Sequence, residues 1–167
     1  NTANLEVTWL HGAVAKNLKA DMTAKFSSQS TTFKNYPKYG FDDSTRSFST
    51  EELNVYSGKL DAGGRASATI VPQIHGQAPG MLKVAFITKV YEEGGDFSTD
   101  VMSTTYSPYP TYVGLKTPEP NKYQMLETRK TNRFEVVTVD ENGRPKPVSG
   151  LQVNVYKVDW RWWWDAS

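Results

Sequence analysis

Apolar and polar residues alternate along most of this chain. Almost nowhere do apolar residues recur at the spacing of three and four that an amphipathic helix requires. The cleanest run sets Leu18, Ala20, Met22, Ala24 and Phe26 against Lys19, Asp21, Thr23 and Lys25. Ahead of it, Leu5, Val7 and Trp9 alternate with Glu6 and Thr8 and end at His11-Gly12. These two strands are expected to pair antiparallel, with Gly12 in their connection. Ser27 to Thr50 is polar and aromatic without a sustained period. It reads as a long connection whose Phe33, Tyr36, Tyr39, Phe41 and Phe48 plug a sheet edge. Glu51 to Leu60 carries Leu53, Val55 and Leu60. The turn Asp61-Ala62-Gly63-Gly64 follows, and then Ala66, Ala68 and Ile70, so that the pair reads as a hairpin. Leu82, Val84, Phe86 and Val90 mark another strand. Glu92 to Asp96 is a turn, and Phe97 to Tyr106 is the returning strand. Six or seven strands with turns at sandwich-like spacing are thus expected before residue 108.

Ser107-Pro108-Tyr109-Pro110 is the best boundary, because two prolines stiffen the chain and cannot donate to a ladder. The expected units are a β-sandwich over residues 1–110 and a second over 112–167. The second opens at Tyr112-Val113-Gly114-Leu115 and has a strand near Thr131 to Asp140 and the turn Asp140-Glu141-Asn142-Gly143. It ends in the stretch LQVNVYKVDWRWWWD. Leu151, Val153 and Val155 alternate as a strand, and then the phase slips so that Tyr156, Val158, Trp160, Trp162 and Trp164 share a face. Four of the chain's five Trp lie here, Trp160, Trp162, Trp163 and Trp164. With Arg161 among them they form the candidate interface, since Trp is enriched at binding hot spots and Arg adds cation–π contact. Only three or four strands are visible in this unit. It is expected to be a partial sandwich cut from a longer protein and to pack on the first unit or on a neighbouring copy.

Composition narrows the function without naming it. Aromatic residues make up 13% of the chain, enough for a core, and the formal net charge of +1 gives no electrostatic case for nucleic acid. No apolar run approaches the roughly 18 residues of a membrane span. The absence of Cys excludes disulfides, thiol catalysis and Cys-based zinc sites within the chain. His11 and His75 have no ligand partners at useful spacing. The acidic run Glu92, Glu93, Asp96 and Asp100 lacks a calcium-loop pattern and reads as a solvated turn. No nucleophile elbow or phosphate loop is present. Catalytic, cofactor and metal residues are therefore expected to be none. A carbohydrate-binding or adhesin module using the Trp and Tyr surfaces is the alternative from another functional class.

The tail NVYKVDWRWWWDAS, preceded by FEVVTVDENGRPKPVSGLQV, resembles the bacterial alpha-2-macroglobulin family, in particular long envelope members of the Bacteroides type. Upstream, WLHGAVAKNLKADM is similar to the opening strand pair of a macroglobulin-like domain, with its G-x-x-A-x-N-L connection. LDAGGRASATI and SPYPTYVGLK look like the hairpin of such a domain and its exit into the next. The resemblance covers Leu5 to Asp165, and the Trp-rich stretch is its specific part. It implies an all-β fold, a seven-stranded antiparallel sandwich of macroglobulin or fibronectin-III type plus a partial second one. It also implies a role as scaffold in a protease trap of the bacterial cell envelope. The implied partners are neighbouring domains of the parent protein and, through that parent, target proteases. Many members of the family capture proteases through a Cys-Gln thioester, which this chain lacks.

Overall fold

The alternation along residues 19–28 has a simple cause. That stretch is a strand with one face in the core, burying Ala20, Met22, Ala24 and Phe26 and exposing Lys19 and Lys25. The computed structural model describes residues 2–72, 74, 78–123, 125–127 and 129–156. Among these residues it contains strands and no helix. The strands are β1 (Thr2–Glu6), β2 (Lys19–Ser28), β3 (Glu51–Lys59), β4 (Arg65–Thr69), β5 (Leu82–Tyr91), β6 (Phe97–Tyr106), β7 (Tyr112–Lys116) and β8 (Glu135–Val139). All pairings are antiparallel. One sheet has the order β3-β2-β5-β6, a second pairs β1 with β4, and a third pairs β7 with β8.

The first two sheets face each other as a β-sandwich. Leu5, Val7 and Ala66 from the smaller layer pack on Ala20, Leu60 and Val90. Beyond the end of that layer, Ala24, Phe26, Leu82 and Val84 are covered by Ala78, Phe48 and Ile74 from connecting segments. Phe26 sits at the centre of this core, 1% exposed, with Tyr106 edge-on at 5.5 Å between ring centroids.

The fold is all-β, as expected, but its pairing differs from the sequence reading in three places. β1 pairs with β4 and not with β2; a short bridge between Thr8 and Val14 turns the chain at Gly12 and delivers it to the other layer. β3 and β4 are joined by the Asp61–Gly64 turn yet enter different sheets, so they are not a hairpin pair. Alternation reports which face is buried; it does not say which edge a strand will find. In β3 the ladder also shifts register opposite Met22 and Thr23, which pair with Tyr56 and Asn54. Val55 is the extra residue of this bulge. Among the described residues up to Tyr106 there are six strands, within the six or seven expected. The third difference lies past β8, where Leu151 to Tyr156 forms no strand and stays exposed, Val155 to 91%. No neighbouring strand lies beside it among the described residues, and alternation without a ladder partner does not make a sheet.

Three turns share one hydrogen-bond plan. In Asp61–Arg65, Glu92–Asp96 and Asp140–Arg144 the first amide donates to the fifth carbonyl at 2.9, 2.8 and 2.9 Å. The fourth residue is a glycine at φ of +70°, +92° and +77°. A type I turn closed by a left-handed residue needs that conformation, which costs glycine least. In DAGGR and DENGR the Asp Oδ1 also accepts two backbone amides, from Gly63 and Arg65 and from Asn142 and Arg144. The same local device thus recurs on both sides of the proline-rich boundary.

Removing the Phe26 ring leaves a cavity under both central strands. Phe26→Ala is expected to lower stability in urea by about 3–5 kcal/mol with the denaturant slope unchanged. A loss below about 1 kcal/mol would show that the ring is not part of a close-packed core.

Candidate functional site: the aromatic junction

The segment between β2 and β3 lacks periodicity because it serves two bodies at once. Thr31 anchors its start: its Oγ1 accepts the Met81 amide at 2.7 Å and its own amide donates to the Asp42 carboxylate at 3.1 Å. The Asp43 amide reaches the Pro79 carbonyl at 2.8 Å. Between these ties, Phe33 and Phe41 turn inward with ring centroids 4.7 Å apart, nearly perpendicular. Both are buried, and the surface that covers them comes from Met81, Tyr112 of β7 and Val139 of β8.

Backbone pairing seals the contact. Gly40 and Leu115 exchange two amide–carbonyl bonds of 2.9 Å, so the segment adds a short third rung to the edge of β7. Two glycines make room for the rings. A Cβ on Gly114 would run into Phe41 and Val137, and one on Gly143 would meet Phe33 at 2.6 Å. A glycine inside a strand often marks such a close approach.

A polar rim surrounds the rings. Tyr39 Oη donates to Glu135 Oε2 at 2.9 Å, and Lys116 Nζ donates to Glu135 Oε1 at 2.8 Å. The Lys116 hydrogen bond first, then that of Tyr39, holds the Glu135 carboxyl below its ordinary value of 4.5. The same bonds raise Tyr39 and Lys116. Tyr109 Oη donates to the Ala78 carbonyl at 2.6 Å and accepts from Arg46 at 3.1 Å. Tyr112 Oη shares a 2.6 Å bond with Ser107 Oγ, and burial, its largest influence, pushes this phenol up. Lys146 Nζ reaches the Pro110 carbonyl at 2.7 Å. The proline-rich boundary is thus bound on both sides.

The candidate interface Trp160, Arg161, Trp162, Trp163 and Trp164 lies outside the described residues, as does His75. His11 is exposed in the Gly12 turn, its ring stacked on Trp9 at 6.5 Å. Glu92 and Asp96 close the β5–β6 turn through their backbones. Among the described residues no three His, Asp or Glu gather as a metal site. Of the aromatics read as an edge plug, Phe33, Tyr36, Tyr39 and Phe41 line the junction and Phe48 packs on the core around Phe26. Gly114 was the signal for this contact, a lone glycine between apolar strand residues.

Residues 1–108 match the family model described as the bacterial alpha-2-macroglobulin MG5 domain, and residues 114–167 match that of bacterial macroglobulin domain 6. The chain belongs to the bacterial alpha-2-macroglobulin family. Solved structures share the fold. An Escherichia coli alpha-2-macroglobulin activated by porcine elastase superposes with a TM-score of 0.62 and 22% identity, over 91% of this chain and 14% of that one. A Salmonella alpha-2-macroglobulin reacted with methylamine gives 0.61 and 19%, over 89% and 10%. The native conformation of the E. coli protein gives 0.56 and 17%, over 86% and 10%. The macroglobulin chain thus spans 10–14% of the length of these relatives. No curated protein sequence shows a significant match.

Two outcomes test the junction. Gly114→Val places two methyl groups against Phe41, an overpacking that costs about 1–3 kcal/mol, and limited chymotrypsin digestion is expected to cut after Tyr112, buried in the closed junction, faster. Gly94→Ala, where a Cβ meets nothing within 4 Å, should leave that rate unchanged. Equal rates for the two variants would contradict the packing. The second outcome concerns acid. A depressed carboxyl contributes stability that is present above its ordinary value and lost as pH falls through its folded value. Thermal midpoints of the parent should therefore drop below pH 4.5 more steeply than those of Glu135→Gln. Parallel curves would show that the Lys116–Glu135–Tyr39 contact stabilises nothing.

Proposed function

We propose that the chain is a scaffold segment of a bacterial alpha-2-macroglobulin-like protease trap, with two consecutive macroglobulin units at residues 1–110 and 112–167. Their task is to hold neighbouring domains of the parent in register and to pass on displacement when a protease cuts elsewhere. Proteases meet the parent rather than this segment, and the parent works in the bacterial cell envelope. The segment itself carries out no reaction.

The tandem match of two successive macroglobulin domain models across one chain carries this reading. The junction supports it physically. A linker of two prolines would let two units swing, whereas shared aromatic burial and a two-bond rung make them move together. Relatives of the same fold were solved after activation by elastase and by trypsin, which supports the protease side of the proposal.

Incubation with trypsin or pancreatic elastase tests it. The expected result is undiminished cleavage of a small chromogenic substrate and no covalent adduct on a denaturing gel. Stoichiometric inhibition or an adduct would overturn a purely structural role. Saturable binding on a glycan array would favour the carbohydrate module instead.

A further inference from the structure

The two edges of the β3-β2-β5-β6 sheet are guarded differently. At one edge, β3 has the Val55 bulge in its ladder, two acids at its start, Glu51 and Glu52, and Lys59 at its close. Bulges and charged side chains are the usual devices that stop an edge from pairing with another chain. At the other edge, β6 has almost none of them. Its sequence FSTDVMSTTY contains no Pro, Gly, Lys or Arg and a single acid, Asp100. Its ladder with β5 runs from Tyr91↔Phe97 to Leu82↔Tyr106 without a register shift.

Pairing on one side only leaves the amide and carbonyl of every second residue turned outward. Along β6 that row is about 34 Å long, at about 3.4 Å per residue. Among the described residues no strand pairs with it. Every residue from Phe97 to Thr105 is exposed, Val101 on one face to 58% and Met102 on the other to 59%. A partner strand can therefore reach this edge without displacing any described part of the chain.

We propose that β6 pairs with β6 of a second copy, antiparallel about a two-fold axis, joining two four-stranded sheets into one of eight. A strongly charged partner edge would find only Asp100 to answer it, whereas the neutral, hydroxyl-rich edge of a second copy matches it. Paired residues must share a face, so the two central registers set either Val101 or Met102 opposite itself. With Val101 at the centre, the two Asp100 carboxylates lie on a diagonal of about 7–8 Å. With Met102 at the centre, each Asp100 faces Thr104, and the carboxylates stand four residues out of step, about 14 Å at about 3.4 Å per residue. That exceeds the Debye length of about 8 Å at physiological ionic strength, so the Met102 register is the favoured one. It also sets Thr99 opposite Thr105, a stabilising cross-strand pair, and covers each exposed Met102 with its counterpart.

Sedimentation velocity and hydrogen-exchange mass spectrometry of the purified chain over a concentration series test the contact. The expected result is a reversible dimer, with exchange slowed over residues 97–106 and unchanged over 51–59 at the opposite edge. Met102→Lys and Met102→Glu each set like charges directly opposite one another and should weaken the dimer by about tenfold. Mixing the two variants should restore it, since Lys then faces Glu. Thermal midpoints matching the parent confirm that both variants fold. A monomer at every concentration up to about 1 mM, or a dimer protected elsewhere than 97–106, would overturn the proposal. A Met102→Lys dimer tighter than the parent would place Asp100 opposite position 102 and overturn the Met102 register, and so would a mixture that fails to associate.

Discussion

Burial of Phe33 and Phe41 against Tyr112 and Val139 is the constraint on which the rest of this structure depends. The six-strand body has its own core around Phe26 and Leu82, and β7–β8 is only a two-stranded ribbon. A ribbon of that size is marginal in water alone. It is held because one of its faces, with Tyr112 and Val139, is covered by rings that belong to the first body. Those rings are themselves fixed by Thr31, Asp42 and Met81. Side chains confined in this way lose rotamer freedom once, and every contact made afterwards is made against a rigid surface. The junction therefore acts as a continuous solid between two elements whose covalent link is a stretch of prolines.

The scaffold role proposed above asks for a part that does not rearrange. The fold supplies such a part from ordinary materials: β-alternation, two accommodating glycines, and one carboxylate shared by Lys116 and Tyr39. Among the described residues the same sandwich sets a four-stranded layer against a two-stranded one. Both features come from how sheets are covered. At β7 the cover is present within the chain; over β6 it is absent among the described residues.

Much of the fold was legible in the residues. The long strands β2 and β5 follow from alternating apolar positions and β6 from the turn that returns the chain before it, and the turns at Asp61, Glu92 and Asp140 follow from glycine where positive φ is needed. Partner choice was not legible, because β1 and β4 look alike to any neighbour until the layers assemble. The bulge at Val55 was present as a change of phase, from Leu53 on odd positions to Tyr56 and Leu60 on even ones, and reads as such only beside β2. The junction was hidden for another reason. Phe33 and Phe41 have no period because they pack against a ribbon more than 70 residues further on. Gly114, a lone glycine between apolar strand residues, was the local sign of that close approach.

Native-state hydrogen exchange at the Gly40 and Leu115 amides tests the central claim most directly, since these two bonds exist only while the junction is closed. If the aromatic contact makes one cooperative body, both amides exchange through the same large opening as Ala24 in the central strand β2. Fast exchange at Gly40 and Leu115, with Ala24 still protected, would show two units joined loosely and would contradict the account.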